Sequence, residues 1–383
     1  MLKKASLSAA FFILLCHSLF ATHIVGGEMR YESLGYNPQT MQGTYRIILK
    51  VYRDCYNGIP WFDDPASLGV FMGGQGALFA AYNVSPISND TLPIVLNDPC
   101  LMQPNGICVN VARYEAIVTL PYLPEGYLFV YQRCCRNEII NNIPNPGETG
   151  ATYYLFMSGE AQLAGNHSPS WSAYPPATIC LGEPLSQDHS AYDQNGDSIV
   201  YSFCAPLMGG DVLNPLPQPP LGPPFTPIAF DTSYTAMNPM GGTPLVSIDP
   251  ATGLITGTPD RLGNFVIGVC GKEYRNGVLF SEFTRDFQYI VSSCNQSRLR
   301  VELDNATPCD TSLTEINVQT STVNGTGWWY YYQWSNGING PNVISNLTPG
   351  VAYTVTVTGV TSLGGTCSSV ITINGNDCVW PGD

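Results

Sequence analysis

The chain has 383 residues, room for two or three domains at the usual ~100–200 residues each. Charged residues make up only 11% of it, the formal net charge is −14, and Lys and Arg nowhere cluster, which excludes a polyanion-binding surface and so a nucleic-acid partner. Its 38 Gly and 31 Pro interrupt nearly every window long enough for an amphipathic helix, which excludes a helical fold and leaves β domains with long loops.

At the N-terminus Lys3 and Lys4 precede an apolar run from Ala9 to Phe20 that Ala21 closes. That order is a secretory signal peptide over residues 1–21, too short to span a bilayer, with cleavage expected after Ala21 and a mature start at Thr22. Leu15 before Cys16 argues against lipid attachment there. No later stretch approaches the ~20 apolar residues of a membrane helix, so no transmembrane segment is expected after the signal peptide. The mature chain is expected to be secreted or held at the cell surface. Loss of Cys16 leaves an even set: Cys55, Cys100, Cys108, Cys134, Cys135, Cys180, Cys204, Cys270, Cys294, Cys309, Cys367 and Cys378. In an exported chain that set reads as disulfides. A zinc site needs close Cys/His pairs, and the mature chain has only His23, His167 and His189.

The first region, residues 22–176, alternates strand-like runs with turns. Residues 45–52, 114–120 and 127–131 read as strands, and residues 54–58 and 104–106 carry Asn-Gly turn chemistry. Cys100 and Cys108 flank the second turn, where a disulfide would clip one loop. The region holds an odd number of cysteines, so one pairs outside it, with Cys180 the expected partner. Cys134 and Cys135 sit between Arg133 and Arg136. A thiol activated by the guanidiniums is one reading; two disulfides leaving one strand toward opposite faces is the reading that an oxidising compartment favours.

In the second region, residues 177–295, an acidic turn at 193–197 leads into a strand, and residues 246–257 read as strand, tight turn and strand. Residues 263–270 and 287–291 add two strands. The D-x-N-G-D-S-x-x-Y-S element at 193–202, followed by I-D-P-x-T-G-x-I-x-G-T-P at 248–259, resembles the cadherin-like and immunoglobulin-like domains of bacterial surface proteins. The resemblance implies a β-sandwich of about seven strands. The expected fold is therefore all-β, with tandem β-sandwich domains of cadherin-like or Ig-like type and disulfides. Residues 206–227 are proline-rich; such a run is either a polyproline ligand or a stiff surface loop, and its composition favours the loop.

Four segments extend the resemblance: ATHIVGGE at 21–28, LKVYRDCYNG at 49–58, YQRCCRN at 131–137 and YRNG at 274–277. They resemble the N-terminal region of large secreted surface proteins of Bacteroidota, associated with gliding motility and type IX secretion. This implies an adhesin-like protein on the outer surface of a Gram-negative bacterium, without a defined activity. The third region, residues 296–377, contains WSNGI at 334–338 and a Thr/Val-rich run at 344–358. It resembles one repeat of the giant gliding-motility adhesins, which implies a small β-sandwich. Residues 378–383 are expected to start a truncated downstream segment, and their WPGD at 380–383 resembles the entry to a dockerin-like calcium loop.

Catalytic signatures do not assemble. IVGG at 24–27 resembles the mature start of chymotrypsin-like proteases, but the nucleophile loop and the histidine motif of such enzymes are missing. Asp63 and Asp64 are adjacent, so their side chains diverge, whereas a glycosidase needs carboxylates across a cleft. No enzyme is expected.

Two binding sites remain. Asp193, Asn195 and Asp197 present oxygens at every second position around a glycine, as a calcium turn would, with Asp249 approaching from the other motif. The opposing reading is an Asx-rich turn closed by its own backbone hydrogen bonds, and the linker at 291–295 lacks the acidic motif that completes cadherin sites. In the run 328–334, period-two alternation puts Trp328, Tyr330, Tyr332 and Trp334 on one face and Trp329 with Tyr331 on the other. A two-layer domain needs one such face for its core, and the other is a platform for sugar rings or a partner, or is covered by a neighbouring domain. The expected function is adhesion or envelope structure, with calcium as a stabilising ion and an extracellular glycan or surface protein as partner. The alternative is the carbohydrate-binding, non-catalytic part of a larger secreted enzyme.

Overall fold

The structure is a computed structural model that describes residues 24–56, 58, 60–93, 106–294, 299–303, 315–322, 329–345, 351–360 and 366–373. The signal peptide, Cys100, Cys309, Cys378, Trp328 and residues 378–383 lie outside the described residues. Strands account for 55% of the chain and helix for 3%, so the fold is all-β. Among the described residues no helix is long and apolar enough to cross a membrane.

Two compact units divide near Val291. In the first, the strands are β1 (Ile24–Asn37), β2 (Gln42–Asp54), β3 (Ala66–Met72), β4 (Leu78–Val84), β5 (Pro86–Thr91), β6 (Val109–Pro121), β7 (Tyr127–Arg133), β8 (Ala151–Met157) and β9 (Ser170–Trp171). They continue as β10 (Thr178–Cys180), β11 (Leu185–Asp188), β12 (Ala191–Tyr192), β13 (Ser198–Cys204), β14 (Ser247–Ile248), β15 (Leu254–Gly257), β16 (Gly263–Arg275) and β17 (Val278–Ser292). The main sheet runs β4-β3-β7-β8-β17-β1-β2-β6-β5, with β16 and β10 also on β17 and β13 on β16. Strands far apart in this order, β4 and β6, approach each other, so the sheet rolls around one core. Tyr31, Leu49, Val70, Phe129, Leu155, Phe265 and Tyr289 meet in that core from both halves of the sheet.

This corrects the expected boundary at residues 176/177. Strand β17, from the second expected domain, hydrogen-bonds to β1 and β8 of the first, with Gly27 opposite Asp286 and Phe283 opposite Leu155. A central strand cannot leave its sheet without exposing two ladders of backbone groups, so residues 24–93 and 106–291 form one unit rather than two sandwiches. At Gly26 the backbones come so close that a Cβ would meet the Asp286 carbonyl, which fixes glycine in the IVGG segment for packing.

Buried charge fastens the same strands. Glu28 on β1 accepts from Lys50 (2.9 Å) and Tyr52 (2.5 Å) on β2 and from Arg285 (2.7 Å) on β17. Burial alone would push this carboxyl up, but the Arg285 and Lys50 charges outweigh it and hold it below the usual range. Arg136 pairs with Asp286 through both oxygens, at 3.0 and 2.6 Å, with both side chains nearly inaccessible.

The disulfides differ from the expected pairing. Cys55 bonds Cys108 instead of Cys108 closing a loop with Cys100. The reason is register: Asp54 ends β2 opposite Val109, which begins β6, so the next residue outward on each strand faces the other. Cys134 and Cys135 bond each other, not two separate partners. Their guanidinium neighbours are committed elsewhere, Arg133 to Asp63 and Arg136 to Asp286, so no activated thiol exists there. Cys204 and Cys270 join the paired strands β13 and β16; Cys180 and Cys294 are each in a disulfide as well. The proline-rich segment is a pinned loop: the amides of Cys134 and Leu221 donate to the Pro215 carbonyl and to Gln132 Oε1.

In the second unit the strands are β18 (Leu299–Leu303), β19 (Glu315–Thr322), β20 (Trp329–Trp334), β21 (Val343–Ser345), β22 (Tyr353–Val360) and β23 (Thr366–Ile373). Two three-stranded sheets, β18-β19-β21 and β20-β22-β23, share a core of Val318, Ile344, Trp334, Tyr353, Val355 and Val357. That is a small two-layer sandwich.

Candidate functional site

The acidic turn before β13 closes on itself. Asp193 Oδ1 accepts from the amides of Asn195 (2.9 Å) and Asp197 (2.8 Å), and Asn195 Oδ1 accepts from the His167 amide (3.0 Å). Asp197 faces Arg275, the last residue of β16, whose Nε and Nη2 reach its two oxygens at 2.7 and 2.5 Å. Glu273, two residues earlier on the same face of β16, is fully buried and brings a third carboxylate to Asp193 and Asp197, their oxygens within 4.8 Å of one another. Glu273 is held by Asn166 Nδ2 (2.8 Å) and the Ser281 hydroxyl, and Asn166 also accepts from Arg275 (2.8 Å).

Three carboxylates against one guanidinium set the protonation of the cluster. The Arg275 hydrogen bonds hold Asp197 below the ordinary carboxylate range. Burial, with the neighbouring acidic oxygens, pushes Glu273 up to about 8, so it keeps its proton and offers it to Asp197. Asp249 lies elsewhere. Its Oδ1 accepts from the Ala251 and Thr252 amides and the Thr252 hydroxyl in the turn between β14 and β15, which lowers its pKa.

Of the predicted calcium set, Asp193 and Asp197 come together with Glu273, while Asp249 sits in another turn. Calcium takes 6–8 oxygens, whereas Asn195 and Asp193 Oδ1 serve backbone amides, both Asp197 oxygens serve Arg275, and Asp249 closes another turn. Asp193 Oδ2 is buried without a hydrogen-bond partner, but a calcium there would have to displace both a guanidinium and a proton. The cation of this turn is Arg275. Sequence reasoning missed Glu273, Arg275 and Asn166; the signal was the Asn276-Gly277 pair, which marks the hairpin that returns β16 to β17.

The aromatic strand behaves differently. On β20, Trp334 is buried in the sandwich core and Tyr330 and Tyr332 pack against it, whereas Trp329 and Tyr331 are 61% and 62% exposed. Tyr331 lies opposite Thr358 and Gln333 opposite Thr356 on β22, and these lie opposite Ser368 and Val370 on β23. Hydroxyl pairs cross the strands at Thr358–Ser368 (2.9 Å) and Thr354–Thr372 (3.2 Å). The result is a sheet face with two exposed rings on its edge strand, hydroxyls beyond them and no charged side chain among the described residues. Two residues of strand rise set the rings about 7 Å apart.

His189 is buried, stacked on Phe287 and hydrogen-bonded to the Tyr289 hydroxyl (2.9 Å), and burial holds its pKa well below the usual imidazole range. Asp63 and Asp64 do diverge: the Asp63 side chain turns inward to Tyr131 (2.5 Å) and Arg133 (3.3 Å), while Asp64 is exposed. No protein-family model, curated protein or solved structure matches the chain.

Proposed function

We propose that this chain is a non-catalytic protein of the cell exterior that works by adhesion, of the Bacteroidota surface-protein kind that its sequence resembles. The exposed, uncharged face around Trp329 and Tyr331 carries the reading. Flat rings beside ordered hydroxyls match the apolar faces and hydroxyl rims of a neutral glycan, while the absence of charge on that face gives nothing to a charged partner. Two features support it. The disulfides Cys55–Cys108 and Cys204–Cys270 suit an oxidising compartment. The buried Glu28 and Asp286 and the half-buried Asp197 are each engaged by an arginine from a distant part of the chain, an arrangement suited to a scaffold. The same face would equally serve the carbohydrate-binding part of a larger secreted enzyme, a reading that a catalytic domain in the same polypeptide would favour.

The test is a pull-down of the oxidised mature chain on insoluble neutral polysaccharides and on whole cells. Saturable binding is expected, with Trp329→Ala and Tyr331→Ala each weakening it at least tenfold at unchanged thermal stability. Binding that both variants retain in full would refute the assignment of the face.

A further inference from the structure

The hairpin that joins β1 to β2 carries a hollow of about 440 Å³, built wholly within the first unit. The local backbone opens it. The register of β1 on β2 slips between Ser33 and Gly35, a β-bulge, and Gly35 sits at φ +139°, where an L side chain would be strained. A side chain there would meet nothing within 4 Å, so its absence leaves open space over the sheet. Two anchors hold the walls. Asn37 Oδ1 accepts from the amides of Gln39 (2.9 Å) and Thr40 (3.3 Å), which closes the turn. The Tyr122 amide donates to the Met41 carbonyl (2.7 Å), which ties the turn to the residue after β6. Across the sheet, Gly35, Thr44 and Thr119 lie in one row on β1, β2 and β6, and the two threonine hydroxyls meet at 3.1 Å.

The lining selects the class of ligand. Asn37, Thr40, Gln42, Thr44 and Thr119 present amides and hydroxyls, Leu34 and Tyr36 add apolar surface, and no charged side chain lines the hollow. Two residues along β2, Arg46 is held between Glu32 (2.7 Å) and Glu115 (3.5 Å), so the neighbouring charge is paired and gives nothing to an ionic ligand. The Thr44–Thr119 pair spends one hydroxyl proton internally and keeps the other for a ligand, and the exposed Gln42 amide supplies both a donor and an acceptor. Mixed donors and acceptors without charge match sugar hydroxyls, each of which donates and accepts at once. A peptide would find no strand to join, because the backbone of Thr44 is already paired on both sides. The volume falls within the roughly 300–1,000 Å³ of small-molecule sites and suits a mono- or disaccharide.

We propose that this hollow binds a neutral mono- or disaccharide unit through hydrogen bonds from Thr44, Thr119, Gln42 and Asn37. It is a second glycan contact, on the other unit of the chain, and it does not rest on the face at β20.

The experiment is saturation-transfer difference NMR on the oxidised mature chain carrying Trp329→Ala and Tyr331→Ala, so that the β20 face contributes nothing. The probes are cellobiose, maltose and lactose, with glucuronic acid, glucosamine and triglycine as controls. At least one neutral disaccharide is expected to bind at millimolar concentration and at least tenfold more tightly than every control, with an affinity that does not change between low and high salt. Thr44→Val with Thr119→Val keeps the β-branched shape while removing the hydroxyl pair, and is expected to weaken binding at least tenfold. Gln42→Ala, at an exposed position, is expected to weaken it severalfold at unchanged thermal stability. Full retention by both variants, tighter binding of a charged sugar or of triglycine, or no transfer to any of the three disaccharides would each overturn the proposal. A failed pull-down at the β20 face would leave it standing, because that face is already removed in this measurement.

Discussion

Replacing Glu273 by Gln removes the ionisation that burial and the neighbouring Asp197 and Asp193 disfavour, while keeping shape. The Gln carbonyl still accepts from Asn166, its amide donates to Asp197 where the protonated carboxyl did, and the Ser281 hydroxyl, which donates to the carboxyl, can turn to accept from the amide. In the folded chain Glu273 holds its proton up to about pH 8, against an ordinary value of 4.5. A raised carboxyl contributes stability that is present below its unfolded pKa and is lost as pH rises through the folded one. Linkage over that interval makes the wild type about 4 kcal/mol less stable at pH 9 than at pH 5 from this group alone. Glu273→Gln, which cannot ionise, is spared that loss. The two proteins should therefore have similar stability at pH 5, and the variant should lead by a few kcal/mol at pH 9. Urea denaturation at the two pH values, compared as a difference between proteins, isolates the effect from other titrating groups. A difference that does not change with pH would show that Glu273 is ionised in the folded chain and that the charge count of the cluster is wrong.

Arg136→Ala should destabilise the first unit by about 3–5 kcal/mol, since it strands the buried Asp286 carboxylate; denaturant midpoints measure it, and a loss below 1 kcal/mol would refute the pairing's role. Replacing both Cys204 and Cys270 by Ala should cost about 4 kcal/mol, because that bond closes a 66-residue separation, while the same double change at Cys134 and Cys135 releases almost no chain entropy; thermal unfolding of the two variants ranks them. Addition of a chelator should leave the melting temperature unchanged, since Arg275 supplies the positive charge at Asp197; a fall reversed by calcium would restore the metal reading.

Sequence alone determined the class. Dense Gly and Pro with alternating Tyr, Val and Thr runs fixed strands and turns, because period-two alternation and Asn-Gly chemistry are local properties of the backbone. Strand β20 shows this best: its alternation put Trp334 on one face and Trp329 with Tyr331 on the other, and the folded sandwich buries the first and exposes the second. What the sequence withheld was partnership. The residues of β17 read as one more strand of a second sandwich, yet they form the bridge between β1 and β8. Nothing local distinguishes a strand that pairs with its neighbour in sequence from one that pairs 260 residues away, since both bury the same side chains. Cys55 with Cys108, Asp197 with Arg275, and Thr44 with Thr119 belong to the same class of fact. Register and sheet closure decide which side chains meet, and those are properties of the folded sheet.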